Sequence, residues 1–321
     1  MSEAQRPADT YSFVGHEAAE AAIADALKGG RMHHAWLIAG PKGLGKATLA
    51  FRAARAALGA RVTGPRPLDV APDDPVARRI AANAHADFFL LERGLNERGK
   101  LRRDISAEDA RKASGFFSLS SAEGGRRVVI VDAVDELNRF GANALLKTLE
   151  EPPPQALLFL VCHAPGAALA TIRSRCRRLD LRPLGEEEMK RAVEADSQTL
   201  QLAGGRPGRA RALMAAGKGG APLSHEIALA LSRLEKEGGR ALLDMAVARG
   251  GEDRLPLTLD AVEDWIRAHA TRIEGPQAVR WASAYSELEA LRAEADDLDM
   301  DPAQGLAQAA LILDRAAARR A

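Results

Sequence analysis

The stretch GPKGLGKATLA, residues 40–50, decides the reading of this chain. Before it stands AWLIA (35–39), an apolar run suited to a strand buried on both faces. After it comes FRAARAAL (51–58), rich in Ala, Leu and Arg and therefore helical. A G-x(4)-G-K loop between strand and helix is an arrangement that cradles phosphate. Successive backbone N–H groups wrap the oxyanions, a lysine reaches the outer phosphates, and a Ser or Thr hydroxyl after it ligates Mg²⁺. Gly40, Pro41, Gly43, Gly45 and Lys46 supply the cradle, but the hydroxyl position holds Ala47. Thr48 carries a hydroxyl one residue later, and that step turns a helix by about 100°, which aims it elsewhere.

The second informative stretch is RRVVIVDAVDELNRFGANALLKTLEEPP, residues 126–153. Its β-branched run Val128-Val-Ile-Val131 ends at Asp132, the form of a strand whose terminal carboxylate meets Mg²⁺ or its water. A hydrolytic site of this layout places glutamate next, as the base that polarises the attacking water. Here the next residue is Ala133. A rival frame takes Asp135 and Glu136 as the acidic pair, but an odd shift of three residues reverses the face of every side chain. The frame ending at Asp132 is the one adopted. Asp135 and Glu136 then fall in the following loop or helix start, where acids are favoured by the helix dipole.

Composition bounds the rest. A chain of 321 residues, 46% hydrophobic and 4% aromatic, reads as two or three domains of an Ala-rich, largely helical protein. The net charge of +1 opposes attachment to nucleic acid through a strongly basic field, so any DNA contact is expected to be local and shared with partners. Cys162 and Cys176 have no C-x-x-C pairing, which leaves neither a disulfide framework nor a Cys₄ zinc site; two reduced thiols are expected. The polar N-terminus, MSEAQRPADT, and the lack of a long apolar run point to a cytoplasmic protein without membrane contact.

Along the chain, a helix over 17–27 and strands at 35–39, 88–91, 128–131 and 157–161 alternate, the pattern of an α/β fold with a parallel sheet. GARVTGPRPLDVAPDDP (59–75) reads as a surface insertion. After Pro183 the strand signal stops, and helical segments follow, punctuated by Gly and Pro clusters. In SHEIALALSRLEKEGG (224–239), Ile227, Leu231 and Leu234 share a helical face and Ser224 is placed to cap its start.

HHAWLIAGPKGLGKATLA, NALLKTLEEPP and TIRSRCRRLDL, in this order and spacing over residues 10–215, resemble the clamp-loader branch of AAA+ proteins. The pattern of losses resembles that branch's delta-prime family, from bacterial DNA polymerase III. The resemblance implies an α/β AAA+ core with a P-loop and parallel sheet over 1–182, a small helical lid over 183–219 and an all-α collar over 220–321 that joins a ring of related subunits. It makes Arg175 of the SRC triplet an arginine finger reaching a neighbouring subunit's ATP. The first polar sensor falls on Val161-Cys162-His163 and the second on GGRPGRARAL, with Gly208 aligned at the sensor arginine and Arg206 and Arg209 beside it; this register stays open by one residue.

The implied role is a non-hydrolysing subunit in a DNA polymerase (nucleotidyltransferase) complex that helps place the sliding clamp on primed DNA. The implied partners are the gamma/tau and delta subunits, the clamp and DNA. ATP or ADP is expected in the loop without turnover, or the loop stays empty, and Mg²⁺ is left open. The family's four-cysteine zinc module would fall in 59–85, which contains no cysteine, so no zinc is expected; His85 and Asp87 read as residues that precede a strand. The family presents the starts of core helices to DNA, and Lys147 could contribute. Two other readings stay open: a self-sufficient ATPase of the gamma/tau kind, and an AAA+ scaffold outside replication.

Overall fold

The computed structural model describes residues 6–30, 32–97, 99, 101–164, 166, 170–217, 221–247, 253–270, 272, 274–298 and 300–317. The chain divides into two compact units, Gln5–Ala192 and Val193–Ala321. The expected boundary at 219 lies outside the described residues.

The first unit is built on five parallel strands: β1 (Ala35–Ala39), β2 (Phe88–Glu92), β3 (Arg127–Asp132), β4 (Ala156–Cys162) and β5 (Arg177–Asp180), ordered β2-β3-β4-β1-β5. The first four carry the expected apolar runs. No apolar run announces β5, because it is an edge strand whose residues are mostly exposed, and only its pairing with β1 makes it a strand.

Alternation on β1 shows how the sheet divides the core. Trp36 and Ile38 face α1 (Glu17–Lys28) and α2 (Lys46–Ala57), in a cluster with Ile23, Leu49 and Phe51. Leu37 and Ala39 face the other side, where α4 (Ala107–Phe117) and α5 (Arg139–Glu150) pack with Ala113, Leu145 and Leu149. Two short helices, α3 (Pro75–Ala81) and α6 (Ala170–Arg173), fill connections, and α7 (Glu186–Ala192) ends the unit. The result is a helix–sheet–helix sandwich in the α/β class expected from the sequence. Parallel order puts every strand's C-terminal end on one edge of the sheet, and the phosphate loop leaves from that edge of β1.

The second unit is helical: α8 (Ser197–Ala203), α9 (Pro207–Ala215), α10 (Leu223–Glu237), α11 (Arg240–Val247), α12 (Arg254–Ala270), α13 (Pro276–Leu298) and α14 (Pro302–Ala317). One apolar core joins Leu213, Ile227, Leu234, Val262, Trp281 and Leu313 across them. Ser224 does not cap α10. The cap position falls two residues earlier, at Pro222, and the buried Ser224 hydroxyl instead meets Thr199 Oγ1 at 2.6 Å.

Candidate functional site

The phosphate loop has the backbone its sequence promised. Gly40 and Gly45 adopt φ of +144° and +85°, a region that side chains rarely enter. At Gly40 the constraint is also steric, since a Cβ would stand 2.4 Å from the Leu181 carbonyl oxygen. Gly45 precedes the first turn of α2, so the helix N-terminus and its free N–H groups face the loop. Lys46 is 3% exposed, and its Nζ donates to the carbonyls of Gly40 at 2.6 Å and Pro41 at 2.7 Å. Pro41 is exposed at the loop's rim and Gly43 half-buried. Ala47 packs against the apolar cluster of α1 and α2, and Thr48 is buried one residue on.

Asp132 ends β3 as the adopted frame required. In sheet register it stands beside Glu92 at the end of β2. Burial pushes Asp132 up to about 6; Glu92 adds to the rise and Lys46 opposes it. Burial likewise pulls Lys46 down to about 8, against the pull of Asp132 and Asp135. Ala133 is 1% exposed, so the position after Asp132 is taken up by core packing. Asp135 sits in a short 3₁₀ turn, Val134–Glu136, and its carboxylate accepts the backbone N–H groups of His163 and Ala164 at 2.8–3.0 Å. It therefore pins the end of β4. Glu136 pairs with Arg93 at 3.0 Å. The loop, Asp132 and the His163 imidazole form one electrostatic group, in which burial and then Lys46 hold His163 below its ordinary value. Cys162 is pushed up to about 11 and Cys176 to about 12 by burial, so both remain thiols at neutral pH.

Arg175 stands apart from this group. It precedes β5, whose Arg177 is in register with Trp36 near the start of β1, so it lies on the sheet edge opposite the loop. A strand of this length separates the two edges by roughly 15 Å. Its guanidinium contacts Glu150 and Thr171 of its own chain. Within the second unit, Arg206 and Arg209 both close on the Asp264 carboxylate of α12. Lys147 lies in the last turn of α5 rather than at a helix start. His85 and Asp87 precede β2, and Asp87 accepts from Ser121 Oγ and from the N–H groups of Ala122 and Glu123, tying that loop to the sheet.

The cysteine-free insertion is held by charge. Arg66 reaches Glu20 at 2.6 Å and Glu17 at 3.0 Å, while Arg52 reaches both Glu20 and Asp69. Sequence reasoning missed Glu20, which looks like an ordinary acid in the first turn of a helix, and Glu92, whose signal was an acid ending an apolar run.

These groups fit a phosphate chain: backbone N–H groups at a helix N-terminus, and a buried ammonium whose hydrogen-bond partners among the described residues are neutral carbonyls. They fit Mg²⁺ less well. Asp132 can serve as a ligand, but no hydroxyl stands at Ala47.

The family model described as DNA polymerase III, delta subunit, matches residues 15–185. The chain is similar to DNA polymerase III subunit delta' of Pseudomonas aeruginosa, 35% identical over 190 residues, 56% of each chain. It is also similar to subunit tau of Escherichia coli, 32% identical over 189 residues, 59% of this chain and 28% of tau. Similarity thus spans about half the length of the delta' relative and less of tau. Among solved structures, a gamma subunit-related protein from Thermotoga maritima aligns over 92% of this chain and 99% of its own, with 14% identity and a TM-score of 0.43. With the family model covering more than half of its length, the chain belongs to the DNA polymerase III, delta subunit family and is delta-prime-like.

Proposed function

We propose that this protein is a non-hydrolysing clamp-loader subunit that retains a nucleotide cradle and supplies Arg175 to the nucleotide of a neighbouring subunit. The observation that carries the reading is the contrast at β3: Asp132 faces an intact phosphate loop, while the next position is a buried alanine. Loss of a general base costs about 10²–10⁴ in rate, and the hydroxyl at Ala47 is missing as well. The placement of Arg175 supports delivery in trans, because it lies on the edge of the sheet away from its own loop. Its fixed charge and planar fork suit phosphate oxygens. The partners proposed are gamma/tau and delta subunits, the sliding clamp and primed DNA, with ATP or ADP held without turnover.

The rival reading is a gamma/tau-like ATPase, favoured by the 32% identity to tau and opposed by Ala47 and Ala133. Steady-state ATPase of the purified chain separates the two. We expect no turnover from the isolated chain, and an Arg175→Ala loss of DNA-dependent turnover in a complex reconstituted with gamma/tau and delta. Lost turnover at the neighbouring site should approach ~10³–10⁵, less for the whole ring if other sites keep their own arginine. Turnover by the isolated chain that Lys46→Ala abolishes would establish the rival.

A further inference from the structure

Arg175 does not project freely from its turn. Its Nη2 lies 2.8 Å from Glu150 Oε1, and its Nη1 donates to the Thr171 carbonyl at 2.9 Å, with Ser174 Oγ at 3.4 Å. Of the five guanidinium N–H groups, these contacts use three, and among the described residues Nε–H and one N–H of Nη2 have no acceptor. About a third of the side chain is open to solvent, at 34%.

Glu150 is itself out of place by helix rules. It is the last residue of α5, where the macrodipole disfavours an acid and favours a base. Lys147 already places one base in that turn, and across from Glu150 Arg175 adds a cation in direct contact, from the turn between α6 and β5. We propose that Glu150 is a positioning residue for Arg175: it holds the guanidinium by one nitrogen and keeps the remaining donors turned outward for a neighbouring subunit's nucleotide phosphates. This inference rests on the finger reading above. An arginine without such a tether samples many rotamers, and each ordering event must then be met when the phosphate arrives. A half-exposed ion pair favours one arrangement by at most about fivefold. The tether therefore tunes the finger and does not create it.

The test uses the reconstituted clamp-loader complex, with DNA-dependent ATP turnover measured for wild type, Glu150→Ala, Glu150→Gln, Arg175→Ala and the Glu150→Ala/Arg175→Ala pair, at assembly verified by gel filtration. Glu150→Ala should lower kcat by about two- to fivefold and leave KM for ATP unchanged. Glu150→Gln, which keeps an accepting oxygen, should recover part of the loss. In the Arg175→Ala background, Glu150→Ala should cost nothing more. Wild-type kcat in Glu150→Ala, or an equal loss with and without Arg175, overturns the positioning role. If Arg175→Ala itself is silent, the finger reading falls and the tether with it, which is a different result from a silent Glu150→Ala beside a damaged Arg175→Ala.

Discussion

Lys46 and Arg52 stand on the same helix, fewer than two turns apart, and both are buried, yet their surroundings treat them oppositely. Arg52 is matched by carboxylates: Glu20 accepts from its Nε at 3.0 Å, Asp69 takes another nitrogen, and Glu20 also receives Arg66. Among the described residues Lys46 donates to neutral carbonyls, while the acids that act on it, Asp132 and Asp135, do so without a hydrogen bond. A buried charge with a full set of counter-charges is scaffold. One left among neutral acceptors is unstable until an anion arrives, which is what a phosphate site requires.

The largest effect should come from breaking the matched group. Glu20 is 0% exposed and serves two arginines, so Glu20→Ala leaves a buried Arg52 short of its main partner. Removing one member of such a group costs about 3–5 kcal/mol. Urea unfolding should show that loss, with the insertion around Asp69 becoming sensitive to protease. A loss under about 1 kcal/mol, the value of a surface pair, would erase the distinction between the clusters.

The sequence showed one of these clusters and hid the other. The loop and Asp132 were legible because their chemistry lies in contiguous spacing, and the apolar run of β3 fixed its frame. The Arg52 cluster draws on residues 20, 52, 66 and 69, which meet only through packing of α1, α2 and the insertion. The turning of Arg206 and Arg209 toward Asp264 spans more than fifty positions for the same reason. β5 was illegible because an exposed edge strand needs no apolar code. Arg175 could be singled out by its triplet, but its Glu150 tether depends on how α5 ends against α6.

A second prediction sharpens the unmatched side. ATP without added metal should stabilise the chain at pH 7 by about 1–3 kcal/mol at ten to a hundred times its dissociation constant, and Lys46→Met should remove most of that gain. Phosphate prefers the ammonium form, so the gain should fade as pH rises through about 8, where Lys46 titrates. The ligand-free chain should respond in the other direction. Its Lys46 titrates below the ordinary 10.5, so between about 8 and 10.5 the unfolded chain holds more protons and this group's contribution to stability rises with pH. Thermal shifts with and without ATP across pH 7–9.5 read both trends; a gain independent of pH would detach Lys46 from the phosphates.

The smallest expected effect is also the most diagnostic, because it concerns whether Asp132 acts as a counter-ion. Its carboxyl is raised from 3.8 to about 6, so the folded chain binds this proton more tightly than the unfolded one. Ionised Asp132 therefore carries a cost that is present above pH 6 and relieved as pH falls toward 4. Asp132→Asn keeps the shape of the protonated acid and removes the charge. The two-unit rise, in which the opposing pull of Lys46 is already counted, caps the gain near 3 kcal/mol; burying an amide in place of the acid gives part of that back, which brings the expected stabilisation at pH 7 to about 1 kcal/mol, or ~2–4 °C in Tm. The two proteins should converge by pH 4. Calorimetry at pH 4, 5.5 and 7 gives the profile. If Asp132→Asn is instead destabilised at pH 7, Asp132 is the partner of Lys46 in the sense that Glu20 is the partner of Arg52, and the loop is held together without waiting for phosphate.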